Sequence, residues 1–162
     1  MTITRPLTGL ALAAALLVTA PATAHASTGT AAADGHSAAE WGPYYAPGGK
    51  AKVQGTVATY GEDQADIPAA ATGRISGRLR DLTRGSSCGW AVFRITYRTE
   101  NGGLPFKHRS VVDCTYGTPK PFSFRQHDLY QVELKVCSGP RAAKPSLTCL
   151  YSGTWKSLYL AG

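Results

Sequence analysis

The chain has 162 residues, of which 43% are hydrophobic and 17% charged, and its 17 Lys and Arg against 10 Asp and Glu give a formal net charge of +7. Because the apolar share is near the average for globular proteins and the charged share is below it, a disordered polyelectrolyte and a coiled coil are excluded. The 18 glycines and 10 prolines that interrupt the chain favour one globular domain rich in loops.

The first 26 residues have the three parts of a secretory signal peptide. A basic start at Arg5 precedes an apolar run over residues 7–20, and the small residues of Ala24-His25-Ala26 follow. The apolar run is shorter than the roughly 20 residues that cross a bilayer as a helix. We therefore predict cleavage after Ala26 and a secreted, extracellular product with no membrane span, whose net charge becomes +6 when Arg5 is lost.

After this segment the composition of the chain changes twice. Residues 27–40 consist largely of Ala, Ser, Thr and Gly, which predicts a flexible N-terminal tail. From Trp41 onward, alternating and β-branched runs separated by Gly and Pro predict a single all-β domain over residues 41–162, an antiparallel sandwich or barrel-like fold of about seven or eight strands. The predicted strands are Ala51–Tyr60, Arg74–Leu82, Trp90–Thr99, Lys107–Tyr116, Phe122–Arg125, Leu129–Cys137, Leu147–Tyr151 and Thr154–Leu160.

In the predicted strands Trp90–Thr99 and Lys107–Tyr116, successive side chains point to opposite faces. A hairpin centred on the Asn101-Gly102 turn pairs Trp90 with Val112 and Arg94 with His108, and it directs the odd-numbered residues of 91–97 towards the core. On the opposite face, near the hairpin tip, Arg94, Arg98 and His108 are expected to gather close to Glu100. The sequence therefore predicts a cationic cluster at this tip, in which Arg94, Arg98 and His108 are candidates for binding an anion or a partner.

The four cysteines predict two disulfide bonds, because an exported protein with an even number of cysteines normally pairs them. Residues that face each other across a hairpin have a mean position at its turn. The mean of Cys88 and Cys114 falls on the Asn101-Gly102 turn, and the mean of Cys137 and Cys149 falls within the loop between them. Sequential pairing, with one bridge closing each hairpin, is the favoured connectivity of the three possible ones.

A second basic row lies on the predicted strand that begins at Arg74. Arg74, Arg78 and Arg80 alternate with Ile75 and Leu79, so the arginines share one face and the apolar side chains the other. Guanidinium groups bind phosphate, sulfate and carboxylate, which points to an anionic polymer such as a nucleic acid, a cell-wall polymer or an acidic glycan. The alternative is a solvated outer face that keeps the protein soluble.

The loop between Cys137 and Cys149 carries a different candidate site, formed by Arg141, Ala142 and Lys144. A loop closed by a disulfide is preorganised, which is the property by which small inhibitors occupy protease clefts. Arg141-Ala142 is the candidate specificity site for a trypsin-like protease, whereas Pro145 makes Lys144 a poorer one. The alternative is that the loop only braces the fold.

Catalytic chemistry has little support. Glu100, His108, Arg94 and Arg98 supply the residue types that a metal-independent ribonuclease-like hydrolase needs, but no nucleophile elbow or zinc-protease motif is present, and we predict a non-enzyme. The acidic stretch over residues 62–66 lacks the pattern of a calcium loop and is expected to be solvated. We expect no cofactor and no metal.

The leading hypothesis is therefore a small secreted, non-enzymatic binding protein. Its expected partner is an extracellular protein or an anionic polymer or glycan, and the protein is expected to be a monomer. A protease inhibitor presenting the Cys137–Cys149 loop is the first alternative, and a small secreted ribonuclease-like hydrolase is the second.

Overall fold

A computed structural model describes residues 37–162 of the chain, and the predicted signal peptide and residues 27–36 of the predicted tail lie outside these described residues. The strands are β1 (Ser37–Tyr45), β2 (Ala51–Asp63), β3 (Ala70–Asp81), β4 (Ser87–Tyr97), β5 (Phe106–Asp113), β6 (Lys120–Pro140) and β7 (Lys156–Leu160). A 3-10 turn at Pro47–Gly49 and the short helix α1 (Leu147–Tyr151) complete the regular structure.

The predicted all-β antiparallel fold is confirmed. The strands form one seven-stranded sheet in the order β1-β2-β3-β6-β4-β5, with β7 added to β6, and the sheet is not closed. The β1-β2-β3 side of the sheet and the β4-β5 side share one inner core, which gives the fold its sandwich-like character. Strands β1 and β5 lie at the two ends of the strand order.

Strand β6 connects the two sides because its two halves have different partners. Residues 120–129 pair with β3, and residues 129–140 pair with β4. Asp128 adopts a φ of 53° near the change of partner, and the register with β3 shifts there. The sequence predicted two strands with a turn at His127-Asp128, and this is corrected to one long strand with a bulge.

Two further predictions are wrong. Leu147–Tyr151 is α1 and not a strand, and Ser146 caps this helix because its hydroxyl accepts a hydrogen bond from the backbone N–H of Cys149. A short apolar run does not by itself distinguish a strand from a helix. Residues 37–40, assigned to the tail, belong to β1 and pair with β2.

Two aromatic rings of the core pack on glycines of β2 and β3. Gly55 on β2 lies opposite Gly77 on β3. A Cβ atom at Gly55 would lie 2.6 Å from Cζ2 of Trp41, and one at Gly77 would lie 2.8 Å from Cζ of Phe122, so both rings pack directly on the backbone. Buried apolar side chains complete this core, among them Val53, Ile75, Leu79, Phe93, Phe124, Leu129 and Leu134.

Both predicted disulfide pairings are confirmed. Cys88 and Cys114 are bonded across the base of the β4-β5 hairpin, with their Cα atoms 4.2 Å apart. Cys137 and Cys149 have Cα atoms 5.8 Å apart, and their bond joins β6 to α1 and so closes a strand-helix connection. This bond belongs to a second apolar cluster, around Trp90, so α1 covers part of the sheet on the side opposite the main core.

Among residues 37–162, no helix has the length and apolar character that crossing a membrane requires.

Candidate anion-binding face

The predicted alternation on β3 is present in the structure. Ile75 and Leu79 are buried in the core, and Arg74, Arg78 and Arg80 are exposed on the outer face of the same strand. This arrangement follows from the two-residue side-chain period of a strand, which places positions 74, 78 and 80 on one face.

Neighbouring strands add two more cations to the outer face. Lys52 on β2 lies directly opposite Arg80, and Arg125 on β6 lies directly opposite Arg74. Like charges at directly opposite positions destabilise a sheet, by an amount on the scale of the roughly 0.2–1 kcal/mol of other cross-strand pairs. We refer to these five residues, Lys52, Arg74, Arg78, Arg80 and Arg125, as the basic face.

Most of the cationic groups on the basic face have no polar partner. Arg78, Arg80 and Arg125 form no side-chain hydrogen bond or ion pair with any residue in 37–162. Arg74 donates one hydrogen bond, from Nε to the hydroxyl oxygen of Ser123 at 3.1 Å, and Lys52 lies 6.0 Å from the ring centroid of Tyr45. The guanidinium donors are therefore free to bind an anion.

A shallow groove of about 720 Å³ lies beside Arg78. It spans β1, β2, β3 and β6 and is lined on β2 and β3 by the polar side chains of Gln54, Thr56 and Ser76. The hydroxyl oxygens of Thr56 and Ser76 are 2.9 Å apart and form a hydrogen bond. Glu40 on β1 brings a carboxylate to the groove, which we call the trough.

The cationic tip is only partly formed as predicted. The register that pairs Arg94 with His108 and Trp90 with Val112 is present. Arg94 is already paired, however, because its Nε lies 2.6 Å from the carboxylate of Glu133. No local pattern connects Arg94 with Glu133, which the pairing of β4 with β6 places directly opposite each other.

The ring of Trp155 contacts three basic side chains near this tip. The guanidinium carbon of Arg94 and the Nζ of Lys135 lie 4.8 and 4.6 Å from its ring centroid, and the His108 ring stacks on it at 5.7 Å. Lys135 is only 6% exposed, and its ammonium group donates to the carbonyl of Leu150 at 3.0 Å.

The basic groups of this cluster lie close together and are partly buried, and this shifts their pKa values. Burial, together with the charges of Arg94 and Lys135, lowers the pKa of His108 below its usual value. Burial also lowers the pKa of Lys135, with a further contribution from Arg94. The hydrogen bond to Glu133 raises the pKa of Arg94. Arg94 and Lys135 are held by the fold and are less available to a ligand than the basic face, whereas His108 is exposed.

Arg98 does not join Arg94 and His108, which corrects the predicted cluster. A register shift between Thr96 and Tyr97 interrupts the strand alternation before Arg98. Its guanidinium group, with the side chain only 15% exposed, instead lies 3.5 Å from the Asp63 carboxylate and 3.3 Å from that of Asp66. The backbone carbonyl of Pro68 accepts a further bond at 3.1 Å.

Two residues of the acidic stretch thus have a structural partner. Asp63 and Asp66 connect the β2-β3 loop to the end of β4 through Arg98. The bond from the Ala65 backbone N–H lowers the pKa of Asp63. A groove of about 1050 Å³ beside Arg98 is lined by Glu100 and His127, while His108 lies on β5 beside Trp155. The four residues of the hydrolase hypothesis are therefore divided between two places.

The third candidate site, Arg141, Ala142 and Lys144, is exposed between the end of β6 and α1. Ala142 and Lys144 line a small cavity of about 70 Å³ beside Trp90. The segment between the two cysteines bends and then enters α1, so it does not continue as a hairpin strand.

Sequence reasoning missed Lys52 and Arg125 because each is an isolated basic residue in its own strand. A local signal was present, since Lys52 alternates with the buried Val53 and Arg125 with the buried Phe124. What the sequence lacked was the pairing of β3 with β2 on one side and β6 on the other.

In the described part of the chain, no cluster of His, Cys, Asp and Glu has the arrangement of a metal site.

Comparisons of the chain with protein-family models, with curated proteins and with solved structures find no match. The geometry of the basic face is therefore the observation from which a function is inferred.

Proposed function

We propose that this protein is a secreted, non-enzymatic binding protein whose basic face binds an extended anionic glycan. The observation that supports the proposal most directly is the set of five cations that three neighbouring strands bring to one exposed face. Three of their guanidinium groups are unpaired within the described residues. Such groups bind carboxylate or sulfate through two parallel hydrogen bonds.

The dimensions of the basic face favour a polymer over a single small anion. At about 3.3 Å per residue, Arg74 and Arg80 lie roughly 20 Å apart along β3, and neighbouring strands are about 4.8 Å apart. Charges distributed over this length match several repeating units of an extended chain. Because each contact is exposed and individually weak, binding is expected to depend on several units at once and to weaken with salt.

A glycan fits this face better than a nucleic acid does. Proteins that bind single-stranded nucleic acids stack the bases on aromatic rings within a cationic groove. The exposed ring of Tyr45 lies only at the β1 edge of the face, opposite Lys52, whereas the positions between the five cations hold Gln54, Thr56, Ser76, Pro121 and Ser123. Hydroxyl and amide side chains of this kind form hydrogen bonds with sugar hydroxyls.

Charge reversal on the basic face tests the proposal. The variant Arg78→Glu is expected to bind immobilised polygalacturonate at least about tenfold more weakly than the parent protein, since it replaces an attraction by a repulsion at the centre of the face. Lys156→Glu makes the same charge change at an exposed position of β7, which pairs with the second half of β6 and not with β3, and it is the matched control. Affinity is measured at several salt concentrations.

Equal losses in Arg78→Glu and Lys156→Glu would contradict the proposal, because they would show that only net charge matters. Tighter binding to single-stranded DNA than to polygalacturonate would replace the glycan by a nucleic acid. Binding that does not change with salt would also contradict it.

The two alternative functions have less support. Arg141 is exposed in a segment held at both ends by a disulfide, as an inhibitor requires, but this segment leads into α1 instead of forming an extended strand. For the hydrolase, Arg94 is paired with Glu133 and Arg98 with Asp63 and Asp66, so neither arginine is available beside His108.

A further inference from the structure

We infer that the trough is a subsite for one sugar ring of the bound glycan, a ring that carries both an acid group and free hydroxyls. This inference rests on the proposed function and specifies its ligand. The volume of the trough, about 720 Å³, lies within the range of about 300–1,000 Å³ that small-molecule sites occupy.

The shape of the trough follows from its side chains. Thr56 and Ser76 are directly opposite each other and form a low floor of small side chains on β2 and β3. Gln54 and Arg78 have longer side chains and are also directly opposite each other. They lie two residues along the strands from Thr56 and Ser76, on the same face. The floor is therefore flanked by side chains long enough to contact a ring lying on it.

Strand β1 supplies the remaining wall through a bulge. Its register with β2 shifts between Trp41 and Tyr44, and Gly42 within this bulge has a φ of 86°. A Cβ atom at Gly42 would lie 2.8 Å from the carbonyl oxygen of Val53, so this close approach of β1 to β2 requires a glycine. Glu40, just before the bulge, lies opposite Thr56 and reaches the trough from the β1 side.

The charges around the trough specify the chemistry of the ligand. Glu40 and Arg78 lie on strands β1 and β3, roughly 10 Å apart across the sheet by strand spacing. Neither side chain has a hydrogen-bond or ion-pair partner in the described part of the chain. The guanidinium group of Arg78 provides donors for an acid group, whereas the carboxylate of Glu40 only accepts, so a ligand that displaces its water must supply a donor.

A hydroxyl-bearing acidic sugar meets both requirements, because its carboxylate binds Arg78 and its hydroxyls donate to Glu40. A polyphosphate chain provides acceptors for the arginines but no hydroxyl donor for Glu40. The carboxylate of Glu40 therefore favours a uronic-acid glycan and disfavours polyphosphate through repulsion.

The variant Glu40→Ala separates this inference from simple charge attraction. Removing a negative charge makes the face more cationic, so a purely electrostatic face would bind both polygalacturonate and polyphosphate more tightly. A sugar subsite instead predicts at least about fivefold weaker binding of polygalacturonate, with unchanged or tighter binding of polyphosphate. Glu40→Gln, which keeps one carbonyl acceptor, is expected to restore part of the glycan affinity.

Two controls keep the outcomes distinct. Arg125→Ala, which removes a cation of the basic face outside the trough, is expected to weaken both polymers alike. Circular dichroism confirms that Glu40→Ala is folded, and amide shifts of Ser76 and Gly77 on addition of galacturonic acid report on the trough in the parent protein.

If Glu40→Ala changes both affinities in the same direction, or if galacturonic acid leaves the Ser76 and Gly77 amides unshifted, the sugar subsite is wrong. The basic face still stands in that case, provided that Arg78→Glu weakens binding. If Arg78→Glu binds both polymers as well as the parent protein does, the proposed function itself fails.

Discussion

At the residue scale, Arg78 and Arg98 have similar positions in the sequence but different neighbours in the structure. Arg78 lies on an alternating strand and Arg98 follows one, and both were predicted to bind anions. In the structure Arg98 is paired with two carboxylates, while Arg78 has no polar partner in residues 37–162. Strand alternation is local and predicted the orientation of Arg78, whereas Asp66 and Asp63 are 32 and 35 positions from Arg98 in the chain.

His108 gives a prediction about pH at this scale. Its pKa is lowered in the folded protein by burial, Arg94 and Lys135, so the unfolded chain takes up the proton first as the pH falls. Stability is therefore expected to decrease as the pH falls from about 6.5 through the folded-state pKa of His108. His108→Gln should show a smaller loss of melting temperature between pH 7.5 and pH 5.

The same substitution at His127, which lies outside the cluster of Arg94, Lys135 and Trp155, is the control for this measurement. If His127→Gln reduces the pH dependence as much as His108→Gln does, the cluster beside Trp155 is not its origin.

At the element scale, the sequence predicted what is local and missed what depends on partners. The alternating β3 and the β4-β5 register were predicted from side-chain period and turn position. Strand β6 was divided in two because His127-Asp128 resembles a turn, and only the change of partner from β3 to β4 explains the bulge there. The helix α1 was missed because its position is fixed by a cap and a disulfide as well as by its short sequence.

The disulfide that holds α1 gives a stability prediction. Replacing Cys137 and Cys149 together by Ala is expected to lower the free energy of unfolding by about 3 kcal/mol, the value of the chain-entropy model for a short loop. Urea unfolding followed by circular dichroism measures this loss. The bond lies with the Trp90 cluster and not on the basic face, so glycan binding by the folded variant should be unchanged.

A change in polygalacturonate affinity of the folded double variant would contradict this separation of the two surfaces. A stability loss well below 1 kcal/mol would show that α1 remains docked through apolar contacts alone.

At the scale of the whole molecule, β6 predicts cooperative unfolding. One strand pairs with β3 over its first half and with β4 over its second, so neither side of the sheet can lose it independently. We expect fluorescence from Trp41, isolated by replacing Trp90 and Trp155 with Phe, to follow the same urea transition as circular dichroism of that variant.

The converse variant, Trp41→Phe, reports from the other side of the sheet and is expected to show the same coincidence. Two separated transitions in either variant would indicate that the two sides unfold independently.

The basic face itself illustrates the limit of sequence reasoning for a whole molecule. Three of its five cations share one strand and were predicted. Strand pairing places Lys52 and Arg125 beside these three arginines. Glu40, in a segment assigned to the tail, reaches the trough from a position just before the β1 bulge. The identity of the ligand depends on these added residues, so it could not be predicted from the β3 pattern alone.

The position of β5 at one end of the strand order has a consequence for self-association. Its backbone pairs with β4 on one side, and within the described residues no strand pairs with the other side. An antiparallel contact between two copies of β5 centred on His108 would place Lys107 of each copy opposite Arg109 of the other. Such like-charge pairs oppose edge-to-edge growth, so this open edge carries its own protection against aggregation.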